Sequence, residues 1–207
     1  MRALGELAAS GLLVRYAVAS LFRVTWGFLL AVVVGIPLGL ALGWYGRAGR
    51  ALGPTLQFLR PISPLAWIPL AILWFGVGDR SAIFLIFIAT VLPLALTAMQ
   101  AAHNVHHVHV AAARNFGLSG FAIVRRVILP SALPQLIGGM RIALGIAWLV
   151  VVAAEMIAVT SGLGFLIVDA RNAGDRYDLV VAGMIAIGVI GLLLDSTLRV
   201  FERRRYA

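Results

Sequence analysis

The sequence predicts an all-α membrane protein, a polytopic helical bundle, from its composition and from the length of its apolar stretches. Its 207 residues are 62% hydrophobic and only 12% charged, whereas soluble domains are about half apolar and about a quarter charged. A transmembrane helix needs about 20 mostly apolar residues. Five stretches meet that need, at about 20–45, 56–75, 81–102, 136–159 and 179–200.

Helices are the expected form of these stretches because lipid cannot satisfy the polar groups of an open backbone. The third stretch contains LIFIATVLPLAL, which is apolar throughout and lacks the alternation of a barrel strand. We therefore expect residues 1–207 to form a single transmembrane domain in contact with membrane lipid.

The charges predict how the bundle is oriented. All 17 basic residues are Arg, and the net charge is +9. They cluster after the first, third and fifth stretches, so the positive-inside rule places those intervals and the C-terminus in the cytoplasm. Five spans then leave the N-terminus outside. Because no basic stretch lies on a polar soluble face, nucleic-acid binding is not expected. The chain has no Cys, which excludes disulfides and thiolate metal sites.

The first stretch contains Gly35, Gly39 and Gly43 at four-residue spacing. On a helix these glycines share one face, and their lack of side chains lets a neighbouring helix approach closely. The alternative is that Gly is simply common in membrane helices. We favour helix packing because two successive small-xxx-small steps coincide.

The second stretch is interrupted by Pro61, Pro64 and Pro69, which remove three backbone donors and require a kink or a break. Irregular backbone at membrane depth is tolerated only where protein or a water-filled cavity covers it. Ser63, Pro64 and Trp67 are therefore candidates for lining a transport path, the alternative being a kink without a function.

Glu155 is the only carboxylate of the fourth stretch, and a charge inside the membrane is a candidate for function. It could line the path, bind an Arg such as Arg141 across a dimer, or make a structural hydrogen bond near the outer surface. Asp195 is expected to pair with Arg199, one helical turn later. The histidines at 103, 106, 107 and 109 lack a carboxylate or Cys nearby, so no metal site is expected.

The longest polar interval, about 103–134, reads HNVHHVHVAAARNFGLSGFAIVRRVILPSALP. Its three consecutive alanines favour a short helix, which Gly117 can end. Ser119 could cap a second helix, and the two prolines of LPSALP mark a break before the fourth span. We predict a helix–turn–helix on the cytoplasmic face, joined to two spans and able to transmit a push from a soluble partner.

This interval resembles the EAA loop of ABC importer permeases, whose pattern is Glu-Ala-Ala, three residues, Gly, nine residues, Ile, one residue and Leu-Pro. The chain matches in register, with Ala in place of the Glu and Val127 in place of the Ile. The resemblance assigns coupling to the ATPase to Ala111, Ala112, Ala113, Asn115, Gly117, Leu118, Leu129 and Pro130. The departure at Ala111 removes a carboxylate that the family often presents near the ATPase.

The resemblance extends over about 20–205. The segments LRPISPLAWIPLAILWFGVGD, RRVILPSALPQLIGGMRIALGIAWLVVVAAEM and SGLGFLIVDARN are similar to permeases of the nitrate, sulfonate, taurine and bicarbonate branch. It implies a type I importer permease fold in the inner membrane, forming the path for a small anion. Family members usually have six spans, so we expect the first one to be missing before residue 20.

The resemblance also implies partners. They are a second permease copy, commonly forming a homodimer, two cytoplasmic ATPase subunits, and a periplasmic or lipid-anchored binding protein. The chain has no phosphate loop and no Lys, so we expect no enzyme activity and no bound cofactor, with ATP and Mg on the partner ATPase.

Other functions stay open at this point. One is the same architecture with another cargo, such as a vitamin precursor or an aromatic acid. An ion-coupled secondary transporter would need mid-membrane carboxylates and internal repeats, of which the sequence offers Glu155 alone. A membrane enzyme is not favoured, because no set of nucleophile, base and orienting residue stands out.

Overall fold

The computed structural model describes residues 11–174 and 176–206, with side chains up to 197 and at 199 in the last helix. This part of the chain consists of helices and turns, with no β-strand. The helices are α1 (Leu12–Trp44), α2 (Gly46–Leu59), a 3-10 turn (Pro64–Trp67), α3 (Ile68–Phe75), α4 (Asp79–His103), α5 (His107–Asn115), α6 (Gly120–Ile123), a π turn (Val124–Ile128), α7 (Leu129–Ile157), α8 (Leu163–Asn172) and α9 (Tyr177–Tyr206).

Four helical segments are long and apolar enough to cross a membrane, namely α1, α4, α6 through α7, and α9. They confirm four of the five predicted spans, although α1 already begins at Leu12. The second predicted span is not one straight segment. The helix starts at Gly46, well before residue 56, and the chain bends by 85° between α2 and the 3-10 turn. The bend follows from the prolines, which cannot donate the hydrogen bonds of a continuous helix.

The packing of α1 on α4 shows that the bent segment crosses the bundle. A Cβ atom built on Gly27 would contact Ile86, and one built on Gly43 would contact Ala102. Residue numbers rise together along both helices, so α1 and α4 are parallel. Because α1 and α4 run in the same direction, the chain between them must pass from the end of α1 back to the start of α4. Residues 45–78 are therefore the fifth crossing.

The remaining helices alternate in direction. Arg141 contacts Asp195, and Trp148, one to two turns later on α7, donates to the carbonyl of Ile187. Hence α9 is antiparallel to α7 and returns to the end of the bundle where α5 and α6 lie. We call this end, with residues 104–128, the loop end, and the end with residues 158–176 the opposite end.

The glycine face of α1 lies directly on the backbone of α4. A Cβ atom on Gly35 would lie 2.8 Å from the carbonyl oxygen of Val91, and one on Gly43 would be 2.6 Å from a side-chain carbon of α4. A Cβ on Gly39 would overlap a backbone carbonyl of α4. The same face continues one four-residue step earlier at the fully buried Ala31 and two steps earlier at Gly27. Close backbone approach along this face is what small residues permit.

The break predicted before the fourth span does not occur. The chain is helical from Gly120 to Ile157, and Pro130 lies in the first turn of α7, directly after the π turn. Because the helix is continuous here, Pro130 cannot donate to the preceding turn, and the backbone before it must adjust. In the π turn the N–H of Leu129 donates to the carbonyl of Val124, a wider turn that accommodates the irregularity.

Candidate functional site

The turn after α5 has the geometry that the sequence predicts. Gly117 has φ +78°, a left-handed conformation that Gly adopts without steric cost. Its N–H donates to the carbonyl of Arg114 at 2.9 Å, and the N–H of Leu118 donates to the carbonyl of Ala113 at 3.0 Å. These two bonds form a Schellman motif, which ends α5 and fixes the direction of the chain towards α6.

The second helix of the predicted helix–turn–helix begins after Ser119, as expected, but Ser119 makes no side-chain capping bond. Its carbonyl instead accepts the N–H of Ala122 at 3.1 Å. Because α6 continues through the π turn into α7, the loop end is joined to a membrane-crossing helix without a flexible linker. A displacement of α5 and α6 would therefore move α7.

The inner face of α5 is anchored in the bundle. Ala113 is 7% exposed and packs in one cluster with Ile123 and Ile128. Of the other predicted coupling residues, Leu118 and Leu129 are half-buried, whereas Ala111, Ala112, Asn115, Gly117 and Pro130 are exposed.

The outer face of the loop end carries exposed apolar side chains, which were not predicted from the sequence. Phe116 is 87% exposed, Phe121 77% and Val108 70%. Exposed aromatic side chains beside the charged Arg125 and Arg126 mark a surface suited to contact with another protein or with the membrane. The available signal was the Phe directly before the helix-ending Gly, in an otherwise polar interval.

The proline-broken segment lies beside the middle of α4. A cavity of about 180 Å³ is lined by Arg60, Pro64 and Trp67 on this segment and by residues 88–93, about halfway along α4. Ser63 is exposed next to the cavity, and its carbonyl accepts the N–H of Ala66 at 3.0 Å. The structure thus brings Pro64 and Trp67 together at one cavity, together with Arg60, which was not singled out from the sequence.

Glu155 is enclosed at the opposite end and is 0% exposed. One carboxylate oxygen accepts Nη1 of Arg23 at 2.7 Å. The other accepts the hydroxyl of Ser20 at 2.9 Å and the N–H of Gly164 at 3.0 Å. Both oxygens are occupied, so the geometry favours the structural hydrogen-bonding alternative over a place in the path.

Arg23 joins this site to two further elements. Its Nε donates to Asp79 at 2.8 Å, and its Nη1 donates to the carbonyl of Ser161 at 2.8 Å. Arg23 is 2% exposed although it lies in a membrane-crossing helix. The network ties α1, the start of α4, α7 and the turn before α8 together, and we call Ser20, Arg23, Asp79, Glu155 and Ser161 the Arg23 network.

Within one chain, Arg141 pairs with a residue other than Glu155. It binds Asp195 of the same chain through two bonds, of 2.6 and 3.1 Å. The predicted contact of Asp195 with Arg199 is present at 3.3 Å, so Asp195 receives two Arg residues. The neighbour one turn away was predicted from the sequence, but the longer-range partner was not.

Sequence comparison places the chain among transport proteins. Residues 31–206 match the family described as the binding-protein-dependent transport system inner membrane component. A putative ABC transporter permease of Methanocaldococcus jannaschii is 40% identical over 97% of this chain and 75% of its own length. The taurine transport system permease of Escherichia coli is 40% identical over 92% and 69% of the two chains. The bicarbonate transport system permease of Synechococcus elongatus is 37% identical over 90% and 67%.

The fold is that of a solved transporter. An inward-facing structure of the methionine ABC transporter MetNI superposes with a TM-score of 0.82, covering 93% of this chain and 95% of that chain at 20% identity. The parallel α1 and α4, the bent crossing and the helix–turn–helix between α4 and α7 therefore belong to a known membrane architecture. The chain belongs to the family of inner-membrane components of binding-protein-dependent transport systems, and is the multi-pass permease subunit of an ABC importer.

Proposed function

We propose that two copies of this chain form the translocation path for a small anion of the taurine, nitrate or bicarbonate kind. The observation that carries this proposal is the proline-broken segment at half depth, with its cavity between Trp67 and α4. Irregular backbone at membrane depth is where transporters bind what they carry. A binding protein outside delivers the anion to this path.

The substrate class is supported by the names of similar proteins. Relatives covering about nine-tenths of this chain are permeases for taurine and bicarbonate, and a nitrate import permease of Leptolyngbya laminosa is 38% identical over 86% of it. The fold alone does not fix the cargo, because the solved transporter of the same fold is named for methionine.

Two cytoplasmic ATPase subunits are proposed to dock on the loop ends of the dimer. The exposed apolar face at Phe116 and Phe121 supports this, since exposed aromatic side chains within a polar interval mark a surface for contact with a partner. ATP and Mg are bound by the ATPase, because this chain has no Lys and no phosphate loop. Hydrolysis then acts on the path through α5, α6 and α7.

The loop end is assigned to the cytoplasm. Arg47, Arg50, Arg125 and Arg126 lie at this end, and the positive-inside rule places such clusters in the cytoplasm. The return of α9 to the loop end supports a cytoplasmic location for the end of this helix. The opposite end, with α8, then faces the binding protein.

A matched pair of substitutions tests the docking surface. Phe116→Asp at the loop end is expected to remove the ATPase from a detergent extract of the tagged permease. Val77→Asp, which adds the same charge at a 62% exposed apolar position of the opposite end, is expected to leave it bound. The measurement is mass spectrometry of the co-purified proteins. Equal recovery of the ATPase with both variants would show that this face is not the docking site.

Coupling is tested at Gly117. Gly117→Pro is expected to stop uptake while leaving the amount of chain in the membrane unchanged. Proline fixes φ near −65° and has no N–H, whereas Gly117 has φ +78° and donates a hydrogen bond. Gly117→Asn is the control, because Asn tolerates the left-handed region, and it should keep most of the uptake. Full uptake by the Pro variant would contradict a coupling role for this turn.

A further inference from the structure

Arg60 occupies an unusual place for a charge. It follows α2 directly, lies at the break, and lines the cavity with Pro64 and Trp67. The opposite wall is formed by residues 88–93, near the midpoint of the 25-residue α4. An Arg here is therefore about half a membrane thickness from either end of the bundle.

Within the described part of the chain, no acidic side chain neutralises the charge of Arg60. Among the residues that the structure describes, no ion pair or side-chain hydrogen bond connects Arg60 to another side chain. Arg23 and Arg141, which also lie in crossing helices, differ in this respect. Arg23 pairs with Glu155 and Asp79, and Arg141 pairs with Asp195.

An uncompensated Arg at this depth has two physical outcomes. It faces a water-filled cavity, or it pairs with an anion, because a bare charge in hydrocarbon is costly. The cavity beside it satisfies the first condition, and the segment that holds it is the irregular one. No acidic side chain lines this cavity, so the anion that completes the site comes from outside the chain.

We infer that Arg60 is the cationic residue that the transported anion meets halfway along the path. This inference rests on the proposed function and names a specificity-determining residue for it. The ligand class is a small oxyanion, such as a sulfonate, nitrate or bicarbonate group. A guanidinium offers a planar fork of donors that fits two oxygens of such a group, and the Trp67 side chain forms the apolar wall beside it. A single cation without further charged residues binds weakly enough to release the anion towards the cytoplasm.

The first test uses the absence of Cys from this chain. Ser63→Cys places one thiol on an exposed residue near Arg60. In membrane vesicles that contain the assembled importer, the thiol is treated with an anionic and with a cationic methanethiosulfonate of similar size. The ratio of the two rates should fall by about tenfold when Arg60→Gln is added, because a nearby unit charge acts on the two reagents with opposite sign. Arg50→Gln, an exposed Arg at the loop end, should leave the ratio unchanged.

Either of two results would overturn the inference. One is a ratio of rates that Arg60→Gln leaves unchanged, which would mean that the charge of Arg60 does not influence reagents near position 63. The other is a thiol that reacts with neither reagent, which would mean that the break is closed to water.

The second test measures transport by the complete importer in liposomes, with labelled taurine, nitrate and bicarbonate as probes. Arg60→Gln should lower uptake at least tenfold while ATP hydrolysis stimulated by the binding protein is retained, and Arg60→Lys should restore part of the uptake. Unchanged uptake by Arg60→Gln would overturn the role of Arg60 alone. Failure of the wild-type importer to move any of the three probes would instead overturn the proposed substrate class.

Discussion

Arg23→Met is expected to destabilise the folded chain by about 3–5 kcal/mol, the cost of removing one partner of a buried ion pair. The substitution would leave the Glu155 carboxyl group, which is 0% exposed, without its countercharge. Ser20 and the N–H of Gly164 would remain as neutral donors, and they do not replace a guanidinium at 2.7 Å.

The cost should depend on the pair and not on the size of the side chain. The double variant Arg23→Met, Glu155→Met removes both charges, and replacing a buried pair by apolar residues is often close to neutral. We therefore expect the double variant to be more stable than Arg23→Met alone. Arg141→Met is the matched control. Its pair is 30% and 44% exposed, and exposed pairs contribute about 1 kcal/mol or less.

These differences in stability are measured by heating the detergent-purified, fluorescently tagged chain. The size-exclusion peak that remains is recorded as a function of temperature. A loss of about 3–5 kcal/mol corresponds to a shift on the order of 10 °C for a chain of this length. Equal shifts for Arg23→Met and Arg141→Met would show that the Arg23 network does not stabilise the fold as its burial indicates.

The turn before α8 explains why two glycines accompany this carboxylate. A Cβ atom on Gly162 would overlap the Glu155 carboxylate, and one on Gly164 would overlap a backbone carbonyl of α7. Gly162 also has φ +109°, which other residues rarely adopt. The two glycines of the SGLG sequence therefore allow the backbone to lie in contact with a buried carboxyl group and with α7.

The features that could be predicted from the sequence are those that a local residue pattern determines. Apolar length gave the crossings, spacing gave the face of Gly35 and Gly43, and a Gly after a run of helix formers gave the turn at Gly117. Each of these depends on residues within one helix or one turn, which is why composition and period are enough.

What the sequence did not show depends on residues far apart in the chain. Arg23 and Glu155 are separated by 132 positions, and nothing in either segment names the other. The expected break before the fourth span was wrong for a different reason. A helix can accommodate a proline through a local change in its turns, and here a π turn lies directly before Pro130. Arg60 was overlooked because its significance is its depth, which only the packing of α2 and α4 reveals.

The second large effect is expected where α1 and α4 touch. Gly39→Ala should destabilise the chain by about 1–3 kcal/mol, the usual cost of overpacking, because the added Cβ would overlap a backbone carbonyl of α4. A backbone atom in the middle of a helix cannot rotate away as a side-chain end can. The two parallel helices would have to separate along the whole glycine face.

Gly145→Ala is the matched control for this prediction. Gly145 is also helical and lies on α7, but a Cβ atom there would meet nothing within 4 Å. Ala is a better helix former than Gly by about 1 kcal/mol, so this variant should be neutral or stabilising. The two substitutions add the same methyl group and differ only in what it contacts. Opposite signs in the same unfolding assay would establish the close approach of α1 and α4, whereas equal shifts would mean that the helices do not touch at Gly39 in the folded protein. Since the parallel packing of these helices is also what makes residues 45–78 a membrane crossing, that second outcome would reopen the position of Arg60 as well.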